Sequence, residues 1–134
     1  MMRQVVESLM QRVTDEAEYP CYFNEVEETP QYPYVLLWCT PGALDSVTLS
    51  GVSDLDESLG VTMVATSSIG VLAMASWVRQ ALYGFRPAAD GWHMSPLSDP
   101  YDSRSIQVDR DVSLPGSGFP SFAVDLYSLA GTRR

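Results

Sequence analysis

The chain has no lysine; all eight basic residues are arginine, four of them near the termini, against 17 acidic residues and a formal net charge of −9. Neutralising phosphates requires basic side chains gathered on one face, and neither such a cluster nor a basic–aromatic alternation is present, which disfavours nucleic-acid binding. Without lysine there is no Walker-type phosphate loop, and the glycines at 42, 51 and 60 do not form GxGxxG, so nucleotide hydrolysis is excluded. Histidine occurs once, as His93, so a triad or a His-based metal centre would have to be built around that residue. No apolar run approaches the roughly 20 residues of a bilayer crossing. Met1 to Val13 carries polar residues throughout its length and lacks an apolar h-region, which reads as neither signal peptide nor anchor.

With 134 residues the chain has the size of one domain, spanning 1–134, able to bury roughly two-thirds of its unfolded surface. The hydrophobic content is 46% and the charged content 19%, the latter below the usual figure of about 25%. Two readings of that shortage stand side by side: surface covered by partners, or Ser/Thr/Gly-rich loops that need few charges. Cys21 and Cys39 lie in apolar contexts and read as reduced core residues of a protein made in a reducing cytoplasm.

From Met2 to Thr14, Val5, Val6, Leu9, Met10 and Val13 recur at helical spacing opposite Arg3, Glu7, Gln11 and Arg12, which predicts an amphipathic helix. Cys21–Val26 suits a short strand, and Tyr34–Cys39, apolar on both faces, a central one. Thr40-Pro41-Gly42 breaks that strand. A short strand over Ser46–Leu49, an acidic turn at Asp54–Glu57 and a strand over Val61–Thr66 follow. Ser67 or Ser68 caps the next helix, in which Ile69, Val71, Leu72, Ala75, Trp77, Val78 and Leu82 form a broad apolar stripe and Gly84 is the stop signal. Phe85 to Ser103 holds three prolines and no periodicity, which marks an interface or functional loop. Arg104–Asp109 and Phe122–Tyr127 flank the Gly/Pro-rich tip Leu114–Pro120 as a wide β-hairpin. The order predicts an α+β domain: a mostly antiparallel sheet with two helices packed on one face and a C-terminal β-hairpin. So few helices leave part of the sheet for water or another subunit.

The residues offer little chemistry. Gly116-Ser117-Gly118 lacks the strand-to-helix context of a nucleophile elbow, and the cysteines sit in strands with nothing to stabilise a thiolate. Asp54 to Glu57 starts like a calcium loop, but Leu59 stands where the turn glycine belongs and Ala65 where the bidentate glutamate belongs. Asp109 and Asp111, at alternate strand positions, read as a solvent-facing edge rather than a cation site. No catalytic, metal or cofactor-binding residue is expected, and no cofactor. Trp92-His93-Met94 in the proline-rich loop, with Phe119 in the hairpin tip, are the candidate partner interface: large residues on a loop either fold back onto the core or await a partner. Trp38 and Trp77, on a strand and a helix, are expected to be buried.

Tyr32-Pro33-Tyr34-Val35-Leu36-Leu37-Trp38, Trp77-Val78-Arg79-Gln80-Ala81-Leu82, Asp109-Arg110-Asp111-Val112 and Phe122 to Leu129 together resemble the tail terminator family of siphophages, in its actinobacterial-phage branch. These are packing patterns spread over most of the chain, not chemical signatures. The resemblance implies a non-enzymatic virion protein: a homo-oligomeric ring, typically of six, that caps the last ring of major tail tube protein, stops tube growth and presents a surface to the head completion or connector protein. It implies a place at the head-proximal end of the tail, with assembly in the host bacterial cytoplasm, and no membrane partner. The negative charge would suit a lumen through which DNA slides. The missing lysine and the long 85–103 loop depart from what the family leads one to expect at the docking surface. The neighbouring reading is a head–tail connector or tail completion protein. From another class comes a small-ligand binding domain or a cofactor-free enzyme using His93 and an acidic partner.

Overall fold

The computed structural model describes residues 2–39, 44–47, 53–116 and 118–133. The expected strand break at Thr40-Pro41-Gly42, the end of the Ser46–Leu49 strand and Ser117 lie outside the described residues.

Helix α1, Met2–Arg12, runs into a π-helical turn over Val13–Ala17 and buries Val5, Val6, Leu9 and Val13, the side predicted from spacing. Glu18, in the left-handed region with φ 61°, ends it. Strand β1 is Cys21–Phe23, β2 Tyr34–Cys39, β3 Leu44–Val47 and β4 Ser53–Ala65. Helix α2, Ser68–Leu82, starts where Ser67 Oγ accepts a hydrogen bond from the Gly70 amide at 3.0 Å, satisfying a first-turn donor. Trp92–Met94, Asp102–Ser103 and Gln107–Val108 form β5, β6 and β7, and β8 spans Ser121–Arg133.

These strands make one eight-stranded, mostly antiparallel sheet in the order β1-β2-β4-β8-β5, with β3 on β4 and both β6 and β7 on β8. The parallel pair is β1 with β2. The spine is β4 against β8, in register from Asp54 opposite Thr132 to Ala65 opposite Ser121. The chain is an α+β domain with both helices on one sheet face, and β7 with β8 forms its C-terminal hairpin.

The period-two rule divides the sheet cleanly. Val35 and Leu37, then Leu55, Leu59, Val61, Met63 and Ala65, then Ala123, Tyr127 and Leu129 point to one side, where they are buried with α1 and with Val71, Met74, Val78 and Leu82 of α2. A polar staple fixes α2 there. Arg79 donates from Nε to Asp125 Oδ2 and from a terminal nitrogen to Oδ1, both at 2.8 Å, and the Ser103 hydroxyl donates to Oδ1 at 2.7 Å. Asp125 is fully buried, and Arg79 is held more firmly protonated by its hydrogen bonds to Asp125.

Two expectations need correction. Asp54–Glu57 is not a turn but part of β4: Leu55 faces inward and Asp56 outward, and pairing with β8 outweighs the weak strand preference of the acids. The 85–103 segment, expected as a loop without periodicity, also contributes the short strands β5 and β6. Its backbone is tied to Ala130 of β8 through the Ser95 amide, and its Ala88 and Asp90 amides donate to Ser8 and Gln4 of α1.

Candidate functional site

The inward faces of sheet and helices form a conventional core, so the surfaces that distinguish this molecule are the outward ones. On α2, Ile69, Leu72, Ala73, Ser76, Trp77 and Gln80 recur at the i, i+3, i+4 spacing that places them on one side of a helix. That side points away from the sheet. Ile69 is 75% exposed, Leu72 59%, Trp77 57% and, just beyond the helix end, Tyr83 63%. Trp77 is therefore not a core residue as its helical position suggested. The helix is apolar nearly all round, and only the side carrying Val71, Met74, Val78 and Leu82 has anything to bury against.

The second surface is the sheet face that no helix covers. Register aligns Tyr22, Leu36, Thr62 and Val124 in a row across β1, β2, β4 and β8, with Trp38, Gly60 and Leu126 in the next row. Val64 and Phe122 continue it from Tyr34. Trp38, 39% exposed, lies flat over Gly60: a Cβ there would fall inside the indole. Its Nε1 donates to Thr62 Oγ1 at 3.0 Å, so the ring is pinned in place on an open face. Tyr34 meets Tyr22 edge-on at 5.6 Å between ring centres, with Tyr32 at 5.5 Å; burial first, then Tyr32, Asp109 and Tyr22, raises the Tyr34 phenol pKa. Where the hairpin tip folds beside these tyrosines there is a groove of about 230 Å³ bounded by Val64, Val112, Pro120 and Phe122. Farther along, Ser58 and Ser128 turn the face polar, and Tyr101 reaches over to Ser58 at 2.9 Å.

A third feature is a groove of about 570 Å³ between α1 and the β1–β2 edge, where Met2, Val6, Met10, Phe23 and Cys39 are bordered by Arg3, Glu7 and Asn24.

The four candidate interface residues do not come together. Met94 is 2% exposed and packs against Gly131, where its sulfur occupies the space a Cβ would need, so it belongs to the core. Trp92 packs half-buried against that core. His93 faces outward between them, with Arg86 beside Nε2 at 3.4 Å and, among the described residues, no carboxylate in contact. Phe119 is exposed at the hairpin tip under the Arg110 guanidinium, 5.7 Å from its ring centre. Alternation along β5 explains the split: Trp92 and Met94 share one side and His93 takes the other.

Cys21 and Cys39 are free thiols; burial pushes the Cys21 pKa up to about 12, and burial with Glu57 raises that of Cys39, the opposite of what a nucleophile needs. Asp109 is no strand residue; its carboxylate accepts from the Asp111 amide at 3.1 Å in a turn. Among the described residues no cluster of three metal-ligating side chains occurs, and no helix is long and apolar enough to cross a membrane.

Comparison with known proteins places the fold. The chain is similar to a protein chain in the virion of a native gene transfer agent particle, with a TM-score of 0.59 and 9% identity, over 97% of this chain and 96% of that one. The two share a fold from end to end. No family model matches the sequence, and no curated protein matches it.

Proposed function

We propose that this chain is a structural component of a phage-like virion, and within it a tail terminator: a ring of copies, six by the resemblance, that caps the tail tube, stops its growth and offers a surface for joining the head. The observation that carries the reading is the exposed apolar stripe of α2 together with the sheet face that no helix covers, where Trp38 stands exposed among half-buried Leu36, Val124 and Leu126, on the opposite side of the domain. Contiguous exposed apolar patches of this kind are often sites of contact with a protein partner. The whole-length likeness in fold to a virion chain supports the setting. The charge of −9 supports a part that lies beside passing DNA without holding it.

In this reading no side chain performs chemistry. Growth of the tube stops because the cap binds the growing end as a tube subunit would but presents a different surface to the next arrival. The major tail tube protein is the partner on one side and the connector on the other.

Electron microscopy of particles produced without this protein tests the reading. Tubes of uncontrolled length are expected. Tails of normal length that lack heads would overturn termination in favour of a connector role, and normal infectious particles would overturn both.

A further inference from the structure

We infer that the outer face of α2 in one copy docks on the bare sheet face of the next, a head-to-tail contact between two different surfaces of the same chain. The inference rests on the ring reading above and names the contact that would build the ring.

The occupant follows from charge, size and position. Each copy carries a net charge of −9, so copies repel except where they meet through uncharged surface. Ile69, Leu72, Ala73, Ser76 and Trp77 of the α2 stripe bear no formal charge, nor do Tyr22, Leu36, Trp38, Thr62, Val124 and Leu126 of the sheet face; the charges nearest them, Arg79 with Asp99 beside the helix end and Asp56 farther along β4, lie at the borders. The extents match. The twelve residues from Ile69 to Gln80 span about 16 Å along the helix axis, and four strands span about 14 Å from first to last. Ile69, Leu72, Trp77 and Tyr83 are each more than half exposed, offering on the order of 100 Å² apiece. That makes about half of the ~800 Å² each partner contributes to a standard interface, with the neighbouring small and polar side chains forming the rim.

Position decides the symmetry. The two faces lie on opposite sides of one domain, because α2 sits on the sheet face that the bare one backs, as the Arg79–Asp125 and Ser68–Ser121 contacts fix. A two-fold contact through α2 alone would leave the sheet faces wet. A head-to-tail contact takes both faces from water in every copy, and repetition closes a ring when the rotation allows.

The test uses full-length protein carrying one altered face. Trp77→Glu, with Leu72→Glu as a second version, spoils the helix side; Trp38→Arg, with the milder Val124→Thr in case the first does not fold, spoils the sheet side. Circular dichroism selects the folded variants, and sedimentation velocity reads their mass. Wild-type protein is expected as a closed oligomer, each variant as a monomer, and an equal mixture of one helix variant and one sheet variant as a heterodimer with twice the monomer mass. That mixture retains one intact helix face and one intact sheet face, enough for a single contact. A wild type that stays monomeric at high concentration, a folded variant that still forms homodimers, or a mixture that does not pair would each overturn the contact. Failure of the function is read separately: particles with over-long tails restored by a variant that forms no oligomer would refute the ring role, whereas intact rings from a protein whose loss leaves tails normal would refute termination and leave the contact standing.

Discussion

Replacing Arg79 by methionine removes the guanidinium from the Asp125 staple while keeping an unbranched stem of similar reach. Asp125 would then remain fully buried on the covered sheet face with the Ser103 hydroxyl as its remaining donor. Breaking a buried ion pair from one side costs about 3–5 kcal/mol, because the surviving charge stays desolvated. The lower end applies: the Arg79 side chain is 44% exposed, so water already screens the pair and can approach the vacated site, and one hydrogen bond to Asp125 persists. About 3 kcal/mol is a large share of a total stability on the order of 5–15 kcal/mol, and for a domain of this size it lowers Tm by roughly 10 °C. Urea denaturation should show a lower midpoint at unchanged slope, since the surface exposed on unfolding is the same. The pair Arg79→Met with Asp125→Asn should recover more than 1 kcal/mol relative to the sum of the single changes, the mark of direct coupling. A loss below about 0.5 kcal/mol for Arg79→Met, or additive single effects, would refute the account of the staple as the polar tie between α2 and β8.

Gly60→Ala should displace the Trp38 indole from the sheet and cost about 1–3 kcal/mol as an overpacked site, read by denaturant midpoint together with a red shift of tryptophan emission. Cys21 ionises near 9 when exposed but near 12 in the fold, so the folded chain keeps a proton the unfolded chain gives up. Its contribution to stability is therefore present below pH 9 and lost as pH rises towards 12, and Cys21→Ala should flatten the fall in Tm measured from pH 8.5 to 10.5. The same thiol should resist alkylation at pH 8 until the protein unfolds, as mass spectrometry of iodoacetamide-treated samples would report. His93→Ala should leave tail length and particle yield within two-fold of wild type; near-complete loss with the fold intact would favour the enzyme reading instead.

Much of the architecture was legible from the residues because local signals and tertiary structure agree. The strand Tyr34–Cys39 matches its predicted bounds, Ser67 caps α2, and the hairpin closes as its Gly/Pro-rich tip suggested. Disagreement arises where long-range pairing decides. Asp54–Glu57 extends as strand only because β8 lies opposite, and Trp92–Met94 becomes β5 through residues 131–133, some forty positions away. The interaction surface was half legible. Too few helices for the sheet implied a bare face, but the exposure of Trp77 was hidden, since an all-round apolar helix looks the same in sequence whether one side or both are covered. Alternation alone would have separated His93 from Trp92 and Met94, had the segment been recognised as a strand.

The outer edge of β8 is closed by three pieces of two or three residues each, β7, β6 and β5, stitched on in turn with Pro96 and Pro100 in the chain between them. Such a patchwork offers an incoming strand no continuous ladder to extend, and proline withholds donors along it. Copies accumulating at high concentration are thereby guarded against fibrous polymerisation by strand addition along this border. Association is channelled to side-chain surfaces, where it can be specific and can end.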